Sequence, residues 1–449
     1  MIGCSVERYR PAPLIPADSA MAFEARRLSN SGLRAFEEAA LGRSISPWPL
    51  VEWDLQSLSL AAEYFNPELA EARARAAESQ AALLTAQRRP NPTVNLSPGI
   101  PSPYLLTLDL SFPVETAGKR GYRILEARSL DEAARFDLAQ AVWAVHSAVR
   151  AALLGELTAL RTLDTLRSEG QAREEQVGIL ERTAAAGEIP RLEVDAARIE
   201  LSKVRSAADA ARGEVAESTA ALAAAMGVPL AALRETHLSW TGLDAPPAAQ
   251  TLSSEEIKRD AVLNRLDVRA ALARYAAAEA ELQLEIAKQY PDLNIGPGYT
   301  YEQRDSFFSI GLSATLPLFD RNRGPIAEAE ARRTEAAAAF VETQARVIQR
   351  SEGSLEVYSA ALNELTDAES LVRLIESRQQ ALERSVRLGE EDRLELVDTK
   401  IQLAVATRAR VEALARAQRA LGDLEDAVER PLAAGDELPA AQDLTSPKN

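Results

Sequence analysis

The chain has 449 residues, enough for two or three ordinary domains and a sizeable core. Its formal charge of −16 argues against a nucleic-acid surface, which needs a net basic face, and its single cysteine, Cys4, excludes a disulfide framework or a cysteine-rich zinc site. The two histidines, His146 and His237, stand in no metal-ligand spacing; no apolar run reaches the roughly 18 residues of a transmembrane helix, which leaves β-barrel strands open because they alternate and build no hydropathy peak.

The chain begins Met1-Ile2-Gly3-Cys4, and a small residue directly before a cysteine is how a bacterial lipoprotein signal ends. On that reading Cys4 is lipidated and the rest of the signal lies upstream of Met1; the other reading is an incidental cysteine near a start. Residues 5 to 50 are loop-like, rich in proline, around one short helical stretch near Ala22 to Ala40. A helical pattern follows from about Asp54 to Arg88, with a candidate break at Asn66-Pro67.

Next comes a pair of strands. The short run Val94-Asn95-Leu96 precedes Tyr104 to Val114, where Leu106, Leu108, Leu110 and Phe112 alternate with Thr107, Asp109 and Ser111. From Tyr122 to Ala186 there is no proline, and Val142, Val145, Val149, Leu153, Leu157 and Leu160 keep a spacing of three and four. Such a helix would span about 95 Å, far beyond the mean of about 11 residues in compact domains. It turns at Gly187-Glu188-Ile189-Pro190, where glycine suits a helix end and proline the first turn of the next. A return helix runs from about Arg191 to Met226.

After a proline-bearing linker from Gly227 to Ser254 the plan recurs. A helical stretch spans about Glu255 to Gln289. A second strand pair follows, with Leu293, Ile295, Tyr299 and Tyr301 in one row, then Phe308, Ile310, Leu312, Ala314, Leu316 and Leu318 in another, opposite Ser309, Gly311, Ser313 and Thr315. Ile326 to Arg430 contains no proline, and its one evident break is at Gly389. Beyond it Val397, Ile401, Ala404, Val411, Leu414, Leu421, Leu424 and Val428 form a seam of coiled-coil spacing. The tail from Pro431 reads as disordered.

Gly187 matches Gly389 at an offset of 202, with Leu192-Glu193 and Leu394-Glu395 in register, and Pro113 matches Pro317 at 204. The chain is a tandem duplication of a unit about 200 residues long. We divide it into an N-terminal segment (1–50), a first repeat (51–226), a linker (227–261), a second repeat (262–430) and a tail (431–449). The fold class is mainly α with a small β part: long antiparallel helical hairpins plus two β-hairpins. Four strands cannot close a barrel, which takes about eight, so a lipid-facing reading demands several chains; three would supply twelve strands.

The duplicated plan, the passage LPLFDRNRGPIAEAEA from Leu316 to Ala331 and the turns at Gly187 and Gly389 resemble the TolC-like outer-membrane efflux factor family. The start GCSVERYRPAPL looks like the processed N-terminus of its lipoprotein members, and Leu316 to Phe319 followed by Arg321-Asn322-Arg323-Gly324 is similar to the heavy-metal-efflux branch. The resemblance implies a homotrimer whose twelve strands form a transmembrane β-barrel and whose helices form a periplasmic α-barrel. It implies docking to a periplasmic adaptor and to an inner-membrane pump of the resistance-nodulation-division type, with no catalysis and no cofactor. Gly187 and Gly389 match the adaptor-contacting tips; Glu395 and Asp398, with Glu193 as the first-repeat counterpart, match the acids that ring the narrow end of the pore. Where the family often has a basic residue two places after the second tip glycine, this chain has Glu391, which speaks against a copied salt-bridge latch.

The expected function is therefore an exit duct passing metal cations or small toxic compounds to the exterior. A drug or protein export channel of the same family, and a soluble coiled-coil scaffold whose hairpins merely cap the rods, remain open alternatives. No glycine-rich phosphate loop, nucleophile elbow or histidine beside a nucleophile supports an enzyme.

Overall fold

The computed structural model describes residues 8–99, 105–234, 236–249 and 254–432. Cys4, Tyr104 and nearly all of the tail lie outside them. In chain order the elements are α1 (Pro16–Glu24), α2 (Ser31–Leu41), α3 (Leu55–Phe65), α4 (Pro67–Ala86), β1 (Thr93–Pro98), β2 (Leu105–Val114), α5 (Lys119–Ala185), α6 (Arg191–Met226), α7 (Ser254–Asn264), α8 (Leu266–Ala287), β3 (Leu293–Glu302), β4 (Asp305–Ala314), α9 (Arg323–Leu388) and α10 (Arg393–Val428).

Several boundaries differ from the sequence reading, each for a local reason. The N-terminal helical stretch is two helices, because the Asn30 side chain accepts the Gly32 and Leu33 N–H groups and starts α2 afresh. The break at Asn66-Pro67 is real: Asn66 caps α4 through the Glu68 N–H while Pro67 takes the first helical position. A matching break at Arg265, with no proline to announce it, splits 254–287 into α7 and α8. Its guanidinium is drawn onto the Asp426 and Ala427 carbonyls at the end of α10 and onto Asp267. The fourth strand ends at Ala314, short of the alternating run's end at Leu318.

The duplication is visible in backbone detail. α6 and α10 have 36 residues each and are displaced by the same 202 positions as the tip glycines. Even the joints correspond: the residue after α6 is Gly227, and the residue after α10 is Glu429, both left-handed, with φ of 70° and 51°. Gly227 must be glycine because a Cβ would come within 2.8 Å of the Asn66 Cα. Glu429 instead sends its carboxylate to the start of α8, accepting the Leu266 N–H at 2.6 Å and pairing with Arg265 at 3.2 Å.

The four strands form one antiparallel sheet in the order β1-β2-β3-β4, so the two expected hairpins join edge to edge through β2 and β3. Register aligns the apolar rows across the sheet: Leu96 opposite Leu108, Leu108 opposite Tyr299, Tyr299 opposite Phe308, and Phe112 opposite Ile295, opposite Leu312. The other face carries Asn95, Asp109, Gly298 and Ser309 in one such line. At Gly298 a Cβ would sit 2.6 Å from both the Asp109 carboxylate and the Ser309 hydroxyl. The apolar face is uncovered, with Phe308 at 84% and Ile310 at 85% exposure.

The helices repeat the sheet's order. Near the sheet α4, α5, α8 and α9 lie side by side; farther away the row is α6, α5, α10, α9. Among the described residues neither row continues into a further long helix at its edges, although α3 packs on the end of α6 and α7 on α9. All eight residues of the α10 seam are buried, and alanines such as Ala413, Ala417 and Ala420 let the helices approach closely. Of the α5 series, Val145, Val149, Leu153 and Leu157 enter the core with α3 and the end of α6, whereas Leu160 is 41% exposed.

Candidate functional site

The far end of the helical layer carries both predicted tips. Gly187 and Gly389 have φ of 80° and 76°, left-handed values that favour glycine. Each closes its helix with the same pair of bonds: Gly187 N–H to Ala184 C=O and Glu188 N–H to Thr183 C=O in the first repeat, Gly389 to Val386 and Glu390 to Ser385 in the second. Both glycines are exposed, with open space where a Cβ would stand.

The predicted acids lie just behind these tips but do not point one way. Glu395 accepts a hydrogen bond from Arg378 of α9 at 3.0 Å, while Asp398 accepts one from Gln176 of α5 at 2.7 Å. Glu193 is exposed on α6 and lines a shallow groove of about 400 Å³ with Arg173, Gln176 and Glu200. One helical turn therefore does not set the direction of these carboxylates; the neighbouring helices do.

Between the repeats the structure adds groups that periodicity did not single out. Glu175 of α5 takes Arg393 at 2.7 Å and Lys400 at 3.3 Å, both from α10. Hydrogen bonds from Arg393, then from Lys400, hold its carboxyl below the usual carboxylate range despite partial burial. One layer deeper the buried Glu169 joins Arg173 at 2.9 Å and Arg408 of α10 at 2.8 Å. Apart from the i,i+4 pair of Glu169 with Arg173, these links cross more than 200 residues of sequence, out of reach of any local pattern.

His146 is buried in the helical layer, its Nδ1 2.9 Å from the Ser59 hydroxyl, and burial beside Arg150 pushes its pKa down to about 4. His237 lies exposed in the linker rather than on a helix. Among the described residues no group of three or more His, Cys, Asp or Glu could hold a metal ion, and no helix is long and apolar enough to cross a membrane.

Comparison with known proteins matches this arrangement. The family described as outer membrane efflux protein is matched over residues 59–228 and 258–428, one stretch per repeat. The chain is 26% identical over 220 residues to the cobalt-zinc-cadmium resistance protein CzcC of Cupriavidus metallidurans, covering 49% of this chain and 51% of that protein. It is 25% identical over 334 residues to the pyoverdine export outer membrane protein OpmQ of Pseudomonas aeruginosa, covering 70% and 68%. The match thus spans about half the length of CzcC. In fold the chain is similar to the outer membrane protein VceC of Vibrio cholerae, with a TM-score of 0.65 at 21% identity over 85% of this chain and 97% of that one. With its two repeats each matched, the chain belongs to the outer membrane efflux protein family.

Proposed function

We propose that the protein is the outer-membrane exit duct of a tripartite efflux system, a passive conduit and not an enzyme. The observation that carries this reading is the sheet: one apolar, uncovered face, one small and polar face, and open edges at β1 and β4. Unpaired edges invite pairing, and closure is the arrangement that removes them. Three copies joined β4 to β1 give twelve strands, with the apolar rows toward lipid and the polar rows toward a water-filled lumen. The helical layer, open at the same two edges, closes in the same step into a periplasmic tunnel about 100 Å long. Cys4 would add a lipid anchor.

At the tunnel's far end Gly187 and Gly389 are the contacts for a periplasmic adaptor, which links the duct to an inner-membrane pump of the resistance-nodulation-division type. Glu395, Asp398 and Glu193 are the constriction acids. The Glu175 links to Arg393 and Lys400 hold the two helical hairpins together there. Partly exposed pairs of this kind are worth at most about 1 kcal/mol each, which suits a link that must release. The likeness to CzcC favours metal cations as cargo and the likeness to OpmQ a small organic compound; the pump makes that choice. Reconstitution into planar bilayers tests the reading. Discrete, long-lived conductance steps are expected, and verified insertion without conductance would overturn it.

A further inference from the structure

All strand ends that connect to helices lie on one rim of the sheet. β1 begins at Thr93, β2 ends at Val114, β3 begins at Leu293 and β4 ends at Ala314, and the register sets Val114 opposite Leu293 and Leu293 opposite Ala314. The segments joining this rim to the helices therefore run side by side, and they are rich in cations. Four of these are already engaged within the chain: Lys119 with Asp292 at 2.7 Å, Arg120 with the Gln87 carbonyl, Arg123 with Glu115, and Lys288 with Glu285 at 2.5 Å. Four others, Arg88, Arg89, Arg321 and Arg323, are exposed and have no side-chain hydrogen bond or ion pair among the described residues. Of the rim's acids, Glu115 and Asp292 are spent on Arg123 and Lys119, and Asp320 accepts the Asn322 N–H at 2.9 Å. In a chain of net charge −16 this rim carries more positive than negative charge, with Asp320 the one acid there not paired to a cation among the described residues.

Large apolar side chains stand at the same level. Phe319 is fully exposed, Leu318 is 70% exposed and Tyr290 60%. At the opposite end of the sheet the β3–β4 turn carries Glu302, Arg304 and Asp305, a mixed set with no basic excess. Arginine presents a fork that matches phosphate oxygens, and aromatic or apolar side chains beside it suit the boundary between headgroups and acyl chains.

We propose that this rim is a binding surface for anionic phospholipid headgroups of the periplasmic leaflet. Arg88, Arg89, Arg321 and Arg323 pair with the phosphates, while Phe319 and Leu318 sink among the acyl chains. The proposal rests on the outer-membrane reading, since only there do the strands span lipid with this rim on the helical side. Each basic side chain near an anionic surface is worth a factor of about five in association.

The test offers the full-length protein equal amounts of phosphatidylglycerol and phosphatidylcholine in mixed micelles and quantifies the lipid that stays bound after detergent exchange. Phosphatidylglycerol should be enriched at least fivefold, less so in high salt. The variant Arg88→Gln, Arg89→Gln, Arg321→Gln, Arg323→Gln should fall to near parity with its mass unchanged. Should that variant fold poorly, Arg321→Gln with Arg323→Gln alone should show a partial loss. Equal retention of the two lipids by the wild type, or unchanged enrichment in the variants, overturns the proposal. So does a variant that falls apart into monomers yet keeps its lipid preference, since the arginines would then serve a neighbouring copy. Insertion into phosphatidylcholine vesicles separates the two claims: a wild type that does not insert brings down the membrane reading as well, and one that inserts without preference removes the rim alone.

Discussion

The Arg150 guanidinium of the first repeat lies 3.2 Å from the Glu425 carboxylate of the second, with both side chains about 95% buried. Around it Arg150 donates to the Gln418 carbonyl at 2.9 Å and to its side-chain oxygen at 3.0 Å, and Gln418 in turn donates to the Leu243 carbonyl of the linker. Gly422 leaves room for this, since a Cβ there would collide with the guanidinium. Repeat, repeat and linker are thus tied at one interior point. Arg150→Met removes the counter-charge facing the buried Glu425 carboxylate, which keeps its hydrogen bond from the Leu432 N–H, and we expect a loss of about 3 kcal/mol. Combined with Glu425→Gln the loss should be smaller, because no charge is left alone. Thermal unfolding of the helical signal in detergent measures both.

Glu37 of α2 is fully buried with neither carboxylate oxygen bonded among the described residues, and burial, with the nearby Asp54 charge, pushes its pKa up to about 8. The sign follows from where the proton sits. Unfolded, the carboxyl ionises near 4.5; folded, near 8, so the cost of burying the charge is absent below 4.5, grows as pH rises and is complete above 8. Glu37→Met should therefore stabilise the protein increasingly between pH 5 and 8 and level off above that, by on the order of 5 kcal/mol at the plateau. A stability difference that is flat with pH would contradict this account of Glu37.

Glu175 behaves in the opposite sense. Its carboxyl is held down by Arg393 and Lys400, so the link it makes is fully present above the usual carboxylate range and is lost only as pH falls below it. Glu175→Gln should loosen the contact of α5 with α10 near the tips at neutral pH, giving larger or more frequent conductance steps in planar bilayers. The wild type should approach that behaviour only in acid.

Glu395→Ala with Asp398→Ala should reduce cation preference in single-channel recordings. The effect should be a few-fold rather than complete, because Arg378 already offsets the Glu395 charge and Gln176 binds Asp398. Unchanged selectivity would move the constriction to other residues.

Periodicity and repeat spacing made much of the architecture legible. The α10 seam from Val397 to Val428, the turns at Gly187 and Gly389, and the alternating rows of β2 and β4 depend on neighbours within a few residues, and the chain states these directly. What depended on contacts across the chain was hidden. The break at Arg265 is fixed by carbonyls 161 and 162 residues away, and the directions of Glu395 and Asp398 are set by Arg378 and Gln176 on different helices. Strand β4 stops at Ala314 although its alternation continues, because β3 begins at Leu293, its partner, and offers no further backbone groups to pair.

The most direct test of the central claim is the mass of the protein extracted from an outer-membrane fraction in detergent, with the bound detergent subtracted. A closed ring predicts three times the chain mass of 48.6 kDa. A monomer or dimer freely soluble in buffer would leave the β1 and β4 edges unclosed and contradict the exit-duct reading.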